Sequence, residues 1–140
     1  MKLLRRNNEI RELTSHKVNG LNDSLTIQVR DEPGEGNANH YYHISGFSLK
    51  GNRSINEGDS GIAGIPIVFQ NGPILESGFN GVSNESLLAI VEDRLLGFQS
   101  GQFACRENAV ALTKLQEAMM WLQKRTMDRM RRGVEGTHSK

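Results

Sequence analysis

The feature that most constrains this chain is the run from Phe103 to Arg132, which contains no proline and no glycine. Gly133, a residue suited to the left-handed turn that closes a helix, follows directly. At about 1.5 Å per residue, such a helix is roughly 45 Å long. A compact chain of 140 residues has a radius of gyration near ~14 Å. The helix must therefore protrude from its own monomer or pack against another copy. Its stripe of Ala104, Asn108, Ala111/Leu112, Leu115, Ala118/Met119 and Leu122 continues past what a shorter partner helix can cover. The economical expectation is a homo-oligomer, with Trp121 and Leu122 as anchors of the interface.

That partner helix is legible just upstream. Ser83 or Asn84 can cap it, and Glu85 suits the positive end of its dipole. Leu87, Leu88, Val91, Leu95 and Phe98 recur at steps of three and four, and Ser100-Gly101 breaks the run. Further toward the N-terminus the character changes, because 13 of the 15 glycines lie between Gly20 and Gly101. Leu25, Ile27 and Val29 alternate with polar residues as in a half-buried strand, and turn residues from Asp31 to Asn37 end it. His40 to Leu49 reads as a second strand, with a bulge expected after Gly46 where the apolar phase shifts. Gly51 to Gly61 reads as a polar loop. Ile65, Ile67 and Phe69 form a third alternating run, and Pro66 on its other face suits a sheet edge. Asn71-Gly72 marks a tight turn from which Pro73-Ile74-Leu75 returns as a short strand. A short helix is expected over Glu9 to Leu13. The fold class is thus α+β, a small antiparallel β-rich part over 1–82 followed by a helical hairpin and tail over 83–140, together expected to act as one cooperative domain.

Composition removes several functions. With 17 Lys+Arg against 16 Asp+Glu the net charge is +1, so nucleic acid is not coated by bulk charge. No apolar run approaches the roughly 20 residues of a membrane span, and the N-terminus lacks the apolar stretch of a signal peptide. Cys105 is the single cysteine, which excludes an internal disulfide framework and a cysteine-built metal site. A cytoplasmic protein is expected, and Cys105 is expected to be buried packing on the long helix. No Ser/His/Asp set, phosphate-binding loop or dinucleotide fingerprint occurs. Neither enzyme chemistry nor a cofactor or metal is indicated.

One segment stands apart in charge. Lys124, Arg125, Arg129, Arg131 and Arg132 gather against Asp128 in an otherwise neutral protein. Arg125, Arg129 and Arg132 follow one another at helical steps, so their guanidinium forks can converge on one anion. For Lys124 and Arg131, complementing the helix dipole explains the charge equally well. Gly136, Thr137 and His138 come next, offering close backbone approach and hydrogen bonds to ribose or phosphate, although a frayed tail is the commoner outcome. Gln99, Ser100 and Gly101, with Arg106 one turn into the helix, form either an anion site at a helix N-terminus or an ordinary helix–helix turn. Asn39 and His40, in an aromatic and imidazole cluster with Tyr41, Tyr42 and His43, are open to structural or base-stacking roles. His40 and His43 have opposite strand phases and cannot share a metal from a regular strand.

Three stretches carry a family resemblance: Phe69-Gln70-Asn71-Gly72-Pro73-Ile74, Asn80-Gly81-Val82-Ser83-Asn84-Glu85, and the block FQSGQFACRENAVALTKLQEAMMWLQKRTMDRMRRGVEGTH from Phe98 to His138. The block resembles the helical hairpin of phage sponge proteins, specifically the Thoeris anti-defence family, which shares that hairpin with anti-CBASS sponges. The strand Ala38-Asn39-His40-Tyr41-Tyr42 also fits. The resemblance covers about residues 25–140 and leaves residues 1–23 outside it. It implies a non-catalytic protein that sequesters cyclic nucleotide immune signals, notably glycocyclic ADP-ribose and in some members cyclic di- or trinucleotides. It also implies an oligomer, in several members a hexamer. The ligand site would then include Arg125, Arg129, Arg132, Gly136, Thr137, His138, Arg106, Gln99, Ser100, Gly101, Asn39, His40 and Asn71, drawn from at least two chains. The alternative is a nucleic-acid-binding or structural phage protein that uses the basic long helix.

Overall fold

The structure is a computed structural model that describes residues 11–56, 58 and 64–140. It divides into two compact units, Met1–Asn71 and Gly72–Lys140.

The first unit is built on a four-stranded antiparallel meander in the order β1 (Arg11–Leu13), β2 (Thr26–Val29), β3 (Tyr41–Ser45) and β4 (Gly64–Val68). Its register explains the alternation in the sequence. Leu13, Ile27, Ile44 and Ile65 stand opposite one another across the sheet, and Val29, Tyr42 and Ile67 form the next row on the same face. Val29 at the centre is fully buried. Phe69 continues that face, its ring edge-on to Tyr42 at 5.6 Å between centroids. Pro66 lies on the outer strand β4, where its missing N–H costs no ladder bond.

Three details differ from the sequence reading. Arg11–Leu13 is a strand, because pairing with β2 satisfies its backbone where a weak helical pattern would not; Glu9 and Ile10 lie outside the described residues. Leu25 closes a one-turn helix, α1 (Gly20–Ser24), so β2 starts at Thr26. No bulge follows Gly46. The strand ends at Ser45, and Gly46 turns away with φ +90°, where a Cβ would fall 1.9 Å from the Ser24 carbonyl oxygen. The polar stretch Gly51–Asn56 is a loop, as its composition suggests, and most of its remainder lies outside the described residues.

The second unit opens with α2 (Ile74–Ser77), a single helical turn where a returning strand was expected. Pro73 (φ −64°) is preset for a helix entry, and its carbonyl accepts from the N–H groups of Glu76 and Ser77. The hairpin helices follow as α3 (Asn84–Gln99) and α4 (Arg106–Arg131). Ser83 caps α3 through a reciprocal pair with Ser86: each hydroxyl accepts from the other residue's N–H, at 3.1 and 3.2 Å. α4 starts three residues later than expected, at Arg106 instead of Phe103, because Ser100–Cys105 forms the turn. Cys105 is not buried on the helix. It is exposed and caps α4, its Sγ accepting from the Asn108 N–H at 3.4 Å.

The two helices meet along seams of alternating three- and four-residue steps. On α3 the seam runs through the half-buried Glu85, Leu88, Glu92, Leu95 and Gln99, with Leu87 beside it; on α4 it runs through Asn108, Leu112, Leu115, Met119 and Leu122, continuing into Thr126 and the buried Arg129. That spacing is the 3.5-residue repeat of knobs-into-holes packing. A Gln116 to Glu92 hydrogen bond of 3.2 Å ties the flank. α4 has 26 residues against 16 in α3, so about 15 Å of it continues beyond its partner. There the seam turns polar.

Candidate functional site: a cationic cleft at the end of α4

Beyond the reach of α3, the last turns of α4 form one wall of an open cleft of about 560 Å³. Trp121, Lys124, Arg125 and Asp128 line it in successive turns of the helix, and Arg129, Arg132 and Lys140 complete it. Trp121, the single tryptophan, is 63% exposed. On an amphipathic helix a side chain of this size normally faces the core. Here it lies one turn from Lys124 and Arg125, so an aromatic face and cations address one space.

The charges are arranged, not merely accumulated. Asp128 accepts from Lys124 at 2.8 Å and from Arg131 at 3.2 Å. The hydrogen bond from Lys124 holds the Asp128 carboxyl below its ordinary value, and the charges of Lys124, Arg131 and Arg132 act in the same direction. Asp128 therefore keeps two cations in place. Among the described residues Arg125 has no hydrogen-bond or ion-pair partner, so its fork is available to an anion.

Arg129 departs from the expected stripe of three convergent arginines. It occupies a seam position, is 8% exposed, and its donors are all directed at the C-terminal residues. Nε donates to Glu135 Oε1 at 2.8 Å, Nη2 to the carbonyls of Val134 (2.9 Å) and Thr137 (3.2 Å), and Nη1 to that of Ser139. A buried guanidinium with its donors so engaged organises protein. Arg132 is exposed and donates to the Lys140 main-chain oxygen.

The tail is consequently folded back and not frayed. Gly136 is buried against Ile74 and Leu75, Thr137 Oγ1 donates to the Val134 carbonyl, and His138 Nδ1 lies 3.0 Å from Glu76 Oε2. These residues build the cleft's surroundings, while among them only Lys140 lines it.

The remaining expected site residues lie elsewhere. At the hairpin turn, Gln99 Oε1 accepts from the Cys105 N–H at 3.0 Å and Ser100 Oγ donates to the Gly97 carbonyl at 2.7 Å. The Gly101 N–H donates to Phe98. These bonds close the helix–helix turn, and Arg106 begins α4 beside it. In the first unit, Asn39 is held by Arg11 (2.8 Å) and by its own bond to the Asp31 carbonyl. His40 is 7% exposed, and its N–H donates to the Asp31 carboxylate at 2.9 Å. Gly34 brings His40 and Asn71 together: a Cβ there would meet His40 Nδ1 at 3.3 Å and Asn71 Oδ1 at 3.6 Å. Among the described residues, no group of three or more His, Cys, Asp or Glu is placed to hold a metal.

The sequence reading did not include Trp121, Lys124, Asp128 or Lys140 among the expected ligand residues. For Trp121 the signal was present, since it precedes Arg125 by one helical turn on a face of otherwise polar residues.

Residues 62–127 match the Acb2/Tad1 hairpin domain. Thoeris anti-defense 1 of Bacillus phage SBSphiJ7 is 62% identical over 72 residues, which is 51% of this chain and 51% of that protein. The chain thus spans about half the length of the curated relative it matches. The matched hairpin takes in Trp121, Lys124 and Arg125 and stops short of Asp128, Arg132 and Lys140.

Proposed function

We propose, from the match of residues 62–127 to the Acb2/Tad1 hairpin domain, that this chain is a phage anti-defence protein that binds cyclic nucleotide immune signals and holds them without cleaving them. Glycocyclic ADP-ribose is the first ligand to consider, and cyclic di- and trinucleotides the second. The protein would act in the cytoplasm of the infected host; no helix of the described residues is long and apolar enough to cross a membrane.

The observation that carries this reading is the cleft at the end of α4. An exposed tryptophan offers a stacking surface for a base. Arg125, Arg132 and Lys124 surround it with donors suited to diphosphate or phosphodiester oxygens. Asp128, held ionised by Lys124, is a poor general acid at neutral pH. Such a site binds an aromatic polyanion and has little with which to cleave it.

Oligomerisation belongs to the same reading. Ile90, Leu96, Val110 and Met120 are 43–59% exposed on the hairpin, more apolar surface than an isolated helix pair ordinarily leaves to water. Assembly of several copies, a hexamer by the family's example, would cover it. A neighbouring copy's Asn39–Tyr42 or Phe69–Pro73 segment would then close the ligand site.

The decisive experiment incubates the purified protein with glycocyclic ADP-ribose or a cyclic trinucleotide, then denatures it by heat and analyses the released compound. Intact ligand recovered in stoichiometric amount supports sequestration. An altered product establishes an enzyme, and absence of binding to either refutes the proposal.

A further inference from the structure

Residues 134–139 form a strap whose two ends are held very differently. At its base the attachment is buried: the Arg129 guanidinium takes the carbonyls of Val134, Thr137 and Ser139 together with the Glu135 carboxylate. The middle is seated on α2. The Leu75 N–H donates to the Gly136 carbonyl at 3.3 Å, and Gly136 (φ +81°) lies so close that a Cβ would fall 2.9 Å from Ile74 Cγ1 and 3.0 Å from Leu75 Cγ. His138 adds an exposed contact to Glu76. At the far end Lys140 reaches the cleft, and its main-chain oxygen accepts from the exposed Arg132.

This asymmetry has a chemical meaning. Charge-assisted bonds removed from water are strong and slow to exchange, whereas an exposed guanidinium trades one oxygen acceptor for another at little cost. The bond from Arg132 to the Lys140 main-chain oxygen lies open to water, so a phosphate oxygen, a strong charged acceptor, can compete for that fork. We infer that the strap is the closing wall of the ligand cleft: Arg129 and Gly136 are its positioning residues, and an entering diphosphate or phosphodiester takes over Arg132 from the Lys140 main-chain oxygen. The inference rests on the cleft being the ligand site proposed above. The base of the strap stays fixed while its end yields and then packs over the ligand. Arg129, whose donors are taken by the strap, therefore governs how long the ligand stays through the strap and not through a hydrogen bond of its own.

The test uses full-length chain and two variants, Arg129→Gln and Gly136→Ala, which alter the strap from opposite sides. Each is first checked for retained helix content by circular dichroism. Association and dissociation of glycocyclic ADP-ribose are then followed by the fluorescence of Trp121. Loss of the strap's bonds is expected to speed dissociation about tenfold or more, with association changed less than about threefold. Arg129→Lys should behave like Arg129→Gln, since one ammonium cannot span four acceptors. A merely destabilised protein would lose signal amplitude and keep its dissociation rate, so the two roles separate. Wild-type dissociation rates in both folded variants would overturn the strap while leaving sequestration intact. If the wild type binds neither this ligand nor a cyclic trinucleotide, the function proposed above falls, and the strap falls with it.

Discussion

Replacing Trp121 by leucine separates the two roles open to an exposed tryptophan on α4, a stacking surface for a ligand and an anchor between copies of the chain. The residue is 63% exposed, so only about a third of its side chain is withdrawn from water within the unit. A tryptophan buries up to about 250 Å² when fully covered. A third of that is roughly 80 Å², worth about 2 kcal/mol by area. Leucine retains about half of that contact and is the better helix former by a few tenths of a kcal/mol. The expected loss of stability in the isolated unit is therefore about 1 kcal/mol or less. Stacking of a base on an aromatic ring, by contrast, is worth about 1–3 kcal/mol. The variant should thus bind glycocyclic ADP-ribose about five- to 150-fold more weakly while melting within a few degrees of the wild type. Titration calorimetry and a thermal melt measure the two quantities, and light scattering at the same concentration reports assembly. Unchanged affinity with a smaller assembly would refute the stacking role and leave Trp121 as an interface anchor.

Arg125→Lys should weaken binding roughly ten- to a hundredfold, because a bidentate fork becomes a point charge; isothermal titration at fixed salt reads it. Asp128→Asn should tighten anion binding several-fold and steepen its salt dependence, since Lys124 and Arg131 lose their shared carboxylate. The Asp128 pKa is lowered in the folded chain, so its contribution to stability is complete above its unfolded value and is lost as pH falls through the folded one. Between pH 5 and 8 the effect of Asp128→Asn on affinity should accordingly be constant, and a marked trend across that range would contradict this account. Treatment with EDTA should leave ligand binding unaltered, as a cleft of guanidiniums and ammonium groups needs no cation; binding lost to chelator and restored by a divalent ion would refute that. Gly46→Ala should unfold or severely destabilise the first unit, since its Cβ would sit 1.9 Å from a carbonyl oxygen; chemical denaturation followed by intrinsic tyrosine signal checks it.

How much of this was legible depends on what kind of information each element uses. The hairpin was readable because its seam is periodic: Leu112, Leu115, Met119 and Leu122 state their face by spacing alone, and Ser83 states its cap by chemistry. The strands were readable where apolar and polar residues alternate across a sheet with one buried face, as in Ile27 and Val29. Boundaries set by backbone contacts were not. Gly46 ends β3 because of the Ser24 carbonyl, twenty-two residues away in sequence, and Arg11–Leu13 is a strand because β2 offers it partners.

The arginine cluster shows the same division at the site itself. Helical spacing correctly puts Arg125, Arg129 and Arg132 on neighbouring turns, but spacing says nothing about which one meets the seam. Extending the α4 seam from Leu122 through Thr126 reaches Arg129, where a hydrophobic residue would continue the hairpin if α3 were longer. α3 is not longer, so the tail covers this position, and a chain segment without a regular ladder presents bare carbonyls. A guanidinium is the side chain that satisfies several such oxygens at once. The partners of Arg129 are main-chain atoms of Val134, Thr137 and Ser139, and main-chain atoms leave no mark in a sequence. Gly136 does leave one, because its approach to Ile74 and Leu75 leaves no room for a Cβ. The close approach that Gly136 allows is to α2 in this structure, and of the tail the cleft receives Lys140.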